Sequence, residues 1–187
     1  IEGYNKIYNI CPKIFLDLKL HDIPNTVEKG LKAIQKLKPT LTTIHISGGD
    51  EMQKTSIKMN NKKTKILGVT ILTSLDKKQT LKYYKENNIK KLVKKFARYA
   101  NRNNLNGLVC SPLEIEIVRK EVGKKMILIV PGIRPENLLL KKNDDQKRVL
   151  TPKQAIKLGA DYLVIGRPIL ESKDPLKTIQ KINQSIF

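Results

Sequence analysis

One segment of the sequence alternates charged and apolar side chains, and it runs from Ile14 to Thr26 as Ile-Phe-Leu-Asp-Leu-Lys-Leu-His-Asp-Ile-Pro-Asn-Thr. In a β-strand, residues two apart share a face, so Asp17 and Lys19 are expected side by side near the carboxyl end of a strand. Asp22 follows on the loop. A carboxylate keeps a neighbouring ammonium charged and oriented, and the ammonium can donate a proton. The spacing therefore predicts an acid–base site.

A purely structural alternative is an ion pair that only fills the interior of a barrel. Buried charge is costly unless it is paired, and barrel interiors are usually filled by branched apolar residues. We therefore favour chemistry for Asp17 and Lys19. Strict alternation also predicts that the other face of this strand packs against helices. That face comprises Ile14, Leu16, Leu18 and Leu20.

A second signal consists of glycine and arginine after two apolar runs near the carboxyl terminus. Gly132-Ile133-Arg134 follows one run, and Gly166-Arg167-Pro168 follows the other. Glycine lets the backbone approach a ligand, and arginine bonds phosphate oxygens with two parallel N–H groups. Barrel enzymes often bind phosphate at the loops after strands seven and eight. Ordinary turn glycines with surface arginines are the alternative, and we favour a phosphate site.

The elements that must position these residues are short apolar runs that alternate with amphipathic helices. Residues 89–103 place apolar side chains at helical spacing and lysines on the opposite face. Ser111-Pro112 and Thr151-Pro152 predict helix starts. The alternation is typical of βαβ units with a parallel sheet. The six predicted strands are Ile14–Leu20, Thr42–Ser47, Ile66–Leu72, Gly107–Ser111, Met126–Pro131 and Tyr162–Gly166.

Two architectures fit this order, a doubly wound open sheet and a closed (β/α)8 barrel. No G-x-G-x-x-G follows a strand, whereas polar residues end nearly every strand, which favours the barrel. We predict a single barrel domain over residues 1–187, with six of eight strands represented. Residues 1–10 are expected to form a helix ahead of the first strand. We expect the natural product to be longer at its N-terminus by two βα units, roughly 40–60 residues.

The composition is strongly basic, with a formal net charge of +20. Nucleic acid or a membrane surface is one interpretation and a lysine-rich solvated surface is the other. We favour the solvated surface, and hence no nucleic-acid partner, because the lysines of residues 89–103 lie opposite the apolar face. No apolar run is long enough to span a membrane. Cys11 and Cys110 stand alone, which indicates unpaired thiols in a reducing, cytoplasmic setting and no metal site.

These motifs resemble the orotidine 5′-phosphate decarboxylase family. The resemblance rests on Asp17–Thr26 above all, and further segments agree in the same order along essentially the whole chain. It implies a cofactor-free barrel enzyme that converts orotidine 5′-phosphate to UMP in pyrimidine biosynthesis. The further segments begin at His45, Val69, Gly107, Pro131, Asp145 and Asp161.

The resemblance implies a role for each matching residue. Lys19 would protonate C6 of the pyrimidine and Asp17 would lie beside the substrate carboxylate. Asp22 would reach the partner site of a homodimer. Phosphate binding would fall to Arg134, Gly166 and Arg167, and Gln146 would bridge base and phosphate from a lid within the polar loop 134–150. The remaining substrate-binding positions are Ile23, Pro24, Asn25, Thr26 and Thr73.

Two alternatives remain open at this point. One is a related barrel that uses the same Asp-x-Lys-x-x-Asp pattern with Mg²⁺ on sugar phosphates, as a decarboxylase or aldolase. The continuation His21–Thr26 and the segment Asp145–Arg148 favour the nucleotide enzyme over it. The other is a basic, inactive fragment that binds nucleic acid, and salt-sensitive binding to random DNA would identify it.

Overall fold

The computed structural model describes residues 1–59, 63–135 and 150–187. The chain forms two compact units, of which the first contains residues 1–70 and 95–108 and the second contains residues 71–94 and 109–187. Within the described residues, every helix is too short or too polar to span a bilayer.

Strands and helices alternate through both units. The strands are β1 Phe15–Leu20, β2 Leu41–His45, β3 Lys65–Val69, β4 Gly107–Val109, β5 Ile127–Pro131 and β6 Tyr162–Val164. The helices are α1 Glu2–Ile10, α2 Pro24–Lys36, α3 Gly49–Lys58, α4 Lys77–Tyr84, α5 Ile89–Arg102, α6 Ile115–Val122, α7 Pro152–Leu158, α8 Arg167–Leu170 and α9 Pro175–Ile186. Two short 3-10 turns cover Ile46–Gly48 and Pro112–Glu114.

All six predicted strands are present, but several end earlier than the apolar runs do. Strand β2 ends at His45, because the next residues form a 3-10 turn. Strand β3 ends at Val69 and not at Leu72, where a turn begins in which the Leu75 N–H bonds the Leu72 carbonyl at 3.0 Å. Apolar runs mark burial, and burial continues beyond the strand ends at Ile46 and Ile71, although Leu72 is exposed.

In the first unit, β1, β2 and β3 are parallel neighbours, and β4 follows β3. Helices α2 and α3 contribute to the core, which includes the fully buried Ile44, Ile66 and Leu67 of the strands. Gly68 lies at a close approach, because a Cβ there would come within 2.6 Å of Ile46 and 2.8 Å of Leu105. Only glycine fits at this point of β3 without displacing both side chains.

In the second unit, β5 and β6 are parallel neighbours. Arg119 of α6 binds four backbone and side-chain acceptors around them. Its guanidinium donates to the carbonyls of Gly123, Met126 and Gly159, and to the Asp161 carboxylate at 2.7 Å. The same Asp161 oxygen accepts the Leu128 N–H at 2.7 Å. One side chain therefore joins α6, the start of β5 and the residues ahead of β6.

The predicted helix boundaries are confirmed in the second unit. Thr151 and Gln154 form a capping box at the start of α7, and Gly159 ends that helix with φ +109°. At the Ser111 boundary, the Glu114 carboxylate accepts the Ser111 N–H at 3.0 Å, and a 3-10 turn precedes α6. The apolar face predicted within 89–103 is also confirmed, since Ile89, Leu92, Val93, Phe96, Ala97 and Ala100 are all buried.

Candidate active site

Strand β1 departs from the regular alternation that the sequence predicts. Its pairing with β2 shifts register between Leu16 and Leu20, and Lys19 has a left-handed backbone with φ +51°. A lysine adopts this region only at an energetic cost, and such residues concentrate at functional sites. The prediction that Leu18 packs against helices is wrong, because its side chain is 48% exposed. Leu20 does meet α2, through a contact at Gly30.

Asp17 and Lys19 nevertheless lie together, as predicted. The Lys19 Nζ donates to Asp17 Oδ2 at 2.6 Å. Thr43 of β2 donates from Oγ1 to the other carboxylate oxygen, Asp17 Oδ1, at 2.7 Å. The backbone N–H of Lys19 in turn donates to Thr43 Oγ1 at 2.8 Å. These three bonds form a closed cycle in which one ammonium proton donor is fixed through its side chain and its backbone.

Two histidines lie next to this cycle. The rings of His21 and His45 have centroids 5.3 Å apart. The pKa of His45 is lowered, chiefly because burial disfavours the imidazolium, and the electrostatic influence of His21 and Lys19 lowers it further while Asp17 opposes them. A neutral His45 accepts or donates hydrogen bonds without adding charge to the site.

The loop after β1 is exposed and carries several of the predicted substrate-binding residues. Asp22 Oδ1 accepts the Ile23 N–H at 2.7 Å. Ile23 precedes α2, which begins at Pro24 because proline lacks the N–H that a first helical turn leaves unpaired. Asn25 and Thr26 are exposed in that first turn. Asp22 to Thr26 therefore present polar groups to solvent directly beyond the Asp17–Lys19 pair.

In the second unit, Gly132 and Arg134 follow β5 as predicted. Gly132 has φ +77°, a conformation that favours glycine. Arg134 is buried, its backbone N–H donates to the Leu150 carbonyl at 3.0 Å, and its Nη1 donates to the Ile133 carbonyl at 3.1 Å. These bonds tie the arginine to the residue before it and to Leu150.

Gly166 and Arg167 lie two and three residues beyond β6, and both are exposed. A Cβ built on Gly166 would meet no atom within 4 Å. Packing within the described residues therefore does not require a glycine here. Arg167 begins the short helix α8.

Thr73 lies exposed in the turn after β3, and Gln146 lies outside the described residues. The structure thus brings Asp17, Lys19 and Asp22 into the first unit and Arg134, Gly166 and Arg167 into the second. That Asp17, Lys19, Arg134, Gln146 and Arg167 line one pocket stays a prediction.

The described part of the chain contains no cluster of three or more His, Cys, Asp or Glu side chains suited to a metal ion. Cys110 is buried, and burial raises the pKa of its thiol far above the usual range. Cys11 is exposed, and both cysteines are free thiols.

Comparison with known proteins decides the family. The model of the orotidine 5′-phosphate decarboxylase / HUMPS family matches residues 6–182. The chain belongs to this family. It is 45% identical over 185 residues to an orotidine 5′-phosphate decarboxylase of Wolbachia pipientis subsp. Culex pipiens, covering 98% of this chain and 80% of that protein. It is 46% identical over 187 residues to the one of Ehrlichia canis, covering 100% and 80% respectively.

A solved member of the orotidine 5′-phosphate decarboxylase family has the same fold. The crystal structure of the enzyme from Lactobacillus acidophilus matches with a TM-score of 0.82 and 34% identity, over 98% of this chain and 79% of that one. The predicted fold class, an α/β chain of the (β/α)8-barrel type, is confirmed by this likeness and by the parallel strands.

The sequence alone does not identify one member of the site, Thr43 of β2. In the sequence it is one of two adjacent threonines that precede His45 by a few residues in β2. The signal that identifies it is register, because Leu16 pairs with Thr42 and the next residues along each strand are Asp17 and Thr43.

Proposed function

We propose that this chain decarboxylates orotidine 5′-phosphate to UMP without a cofactor. The observation that carries the proposal is the Asp17–Lys19 pair, with Nζ and Oδ2 2.6 Å apart at the carboxyl end of β1. Both side chains are about 40% exposed, at 38% and 40%, so a substrate can reach them. The names of the relatives at 45% and 46% identity support the same reaction.

In the proposed reaction, the bond between C6 and the carboxylate breaks and CO₂ leaves. The electron pair remains on C6, where a fixed ammonium stabilises it electrostatically. Lys19 then transfers a proton from Nζ to C6, which gives UMP and a neutral amine that regains a proton from solvent. Asp17 lies beside the departing carboxylate, and it keeps Lys19 charged until the transfer.

The phosphate is proposed to bind at Arg134, Gly166 and Arg167, far from the reacting carbon. Binding energy gained there assists the reaction when it is coupled to loop closure. Gln146 is the proposed contact from the closing loop. We propose that Ile23, Pro24, Asn25, Thr26 and Thr73 line the nucleotide.

The working unit is proposed to be a cytoplasmic homodimer. In it, Asp22 extends from the exposed loop after β1 into the partner's site. An exposed carboxylate directly beyond a catalytic pair is suited to this role, because a second chain can approach it.

The test separates chemistry from binding. Lys19→Ala in the intact protein should abolish decarboxylation and leave UMP binding nearly unchanged, because phosphate is held elsewhere. Arg167→Ala should instead weaken UMP binding by about 1.5–3 kcal/mol, the range for charge-assisted hydrogen bonds. Turnover assays and calorimetry with UMP measure the two effects.

Near-normal turnover in Lys19→Ala would overturn the proposed mechanism. Activity that appears only with a sugar phosphate and disappears with a chelator would assign the chain to metal-dependent chemistry instead. Lys13→Ala, which changes an exposed lysine ahead of β1, serves as a matched control and should leave both measurements unchanged.

A further inference from the structure

We propose that Thr43 is a positioning residue that sets the geometry of Lys19 for proton transfer. The inference rests on the proposed function, since it assigns a role relative to the Asp17–Lys19 pair. Thr43 Oγ1 accepts the Lys19 backbone N–H at 2.8 Å and donates to Asp17 Oδ1 at 2.7 Å. It therefore bonds both members of the pair.

The backbone of Lys19 explains why such a residue is needed. Lys19 has φ +51°, and the ladder between β1 and β2 is interrupted from Leu16 to Leu20. The Lys19 N–H lies in this interruption, where the regular strand pairing offers it no carbonyl. It donates to the Thr43 hydroxyl instead. A strained conformation persists only where its surroundings fix it. Thr43 supplies that fixation.

The hydroxyl also fixes the carboxylate. It donates its single proton to Asp17 Oδ1, which leaves Oδ2 for the Lys19 ammonium. Thr43 is fully buried, so its hydroxyl is shielded from bulk water. A Ser or Thr hydroxyl at this position can accept from a backbone N–H and donate to a carboxylate at the same time. Serine preserves both bonds, and valine removes both at nearly constant volume.

The neighbouring residue offers a matched control. Thr42 is also fully buried on β2, and its Oγ1 donates to the Leu16 carbonyl at 2.9 Å. It makes one hydrogen bond to β1 but has no bond to Asp17 or Lys19. Thr42→Val therefore repeats the loss of a buried hydroxyl on the same strand without touching the pair.

The experiment compares Thr43→Val, Thr43→Ser and Thr42→Val in the intact protein. Thr43→Val should lower kcat by roughly 10- to 100-fold, the loss expected from a small misplacement of a reacting group. KM and UMP binding should change little. Thr43→Ser should keep kcat within about threefold of the wild-type value, and Thr42→Val should do the same. Melting temperatures are measured alongside.

Equal effects of Thr43→Val and Thr42→Val on kcat would overturn the inference, because they would show a general packing role. A Thr43→Ser variant as slow as Thr43→Val would overturn it as well. Failure of the proposed function gives a different result, namely a wild-type protein with no decarboxylase activity or an active Lys19→Ala variant.

Discussion

At the scale of single residues, the protonation of His45 depends on the charged and polar groups around it. His45 lies within the influence of Lys19, His21 and Asp17, and its pKa is lowered mainly by burial. The unfolded chain has no such environment, so its histidine titrates near the ordinary value of about 6.5. Folding is then linked to pH through this one imidazole.

The sign of that linkage gives a prediction. As the pH falls through about 6.5, the unfolded state takes up a proton that folded His45 resists, so stability decreases until the lower folded pKa is reached. His45→Gln removes this titration. We expect the melting temperature of the wild type to fall more between about pH 7.5 and 5 than that of His45→Gln. Thermal denaturation across this range measures it, and parallel curves for the two proteins would contradict it.

At the scale of elements, Arg119 is the clearest stabilising feature of the second unit. Its side chain is 15% exposed, and it donates to the Gly159 carbonyl from two nitrogens, at 2.6 and 3.1 Å. A lysine at this position could not form the same set of hydrogen bonds, because the guanidinium has several N–H donors in one plane and an ammonium does not. Its removal leaves several carbonyl groups without a donor.

Arg119→Ala should therefore lower the free energy of unfolding by about 1.5–3 kcal/mol, as expected for hydrogen bonds from a charged group. Urea denaturation measures this. Lys120→Ala is the matched control, because the adjacent Lys120 is exposed and pairs with Glu116 one turn away. It should leave the unfolding free energy nearly unchanged. Similar losses in both variants would show that Arg119 does not join these elements.

The elements also show what the sequence can predict. Periodicity identified all six strands and the buried face of α5, since burial repeats locally along the chain. The left-handed Lys19 carried no such signal, because lysine has no preference for that conformation. Arg119 and Gly159 are 40 residues apart, so their contact depends on packing that local patterns do not encode. The Asp17–Lys19 pair was predictable because side chains two apart remained together despite the irregular strand.

At the scale of the whole molecule, association of two copies must work against charge. A net charge of +20 opposes the approach of a second chain. Salt screens this repulsion beyond about 8 Å at physiological ionic strength. A homodimer is therefore expected to be favoured by moderate salt, and Asp22 supplies one negative charge at the proposed contact.

Complementation tests the shared site. Lys19→Ala and Asp22→Ala should each be inactive alone. If Asp22 serves the partner's Lys19, mixing and reassembling the two variants restores one intact site in each heterodimer, about a quarter of all sites for random pairing. Turnover after mixing measures it. Mixing without any recovery, in a preparation that ultracentrifugation shows to be dimeric, would refute the sharing.

Gly68 has a consequence for inheritance. Every single-nucleotide missense change in a glycine codon introduces a side chain with a Cβ, and at Gly68 that atom would press on Ile46 and Leu105 within 3 Å. Overpacking of this kind in a dense interior typically costs about 1–3 kcal/mol. Every amino-acid exchange that a single-nucleotide change makes at this codon should therefore destabilise the protein, and such mutations should arise in genetic screens as temperature-sensitive alleles that require added uracil.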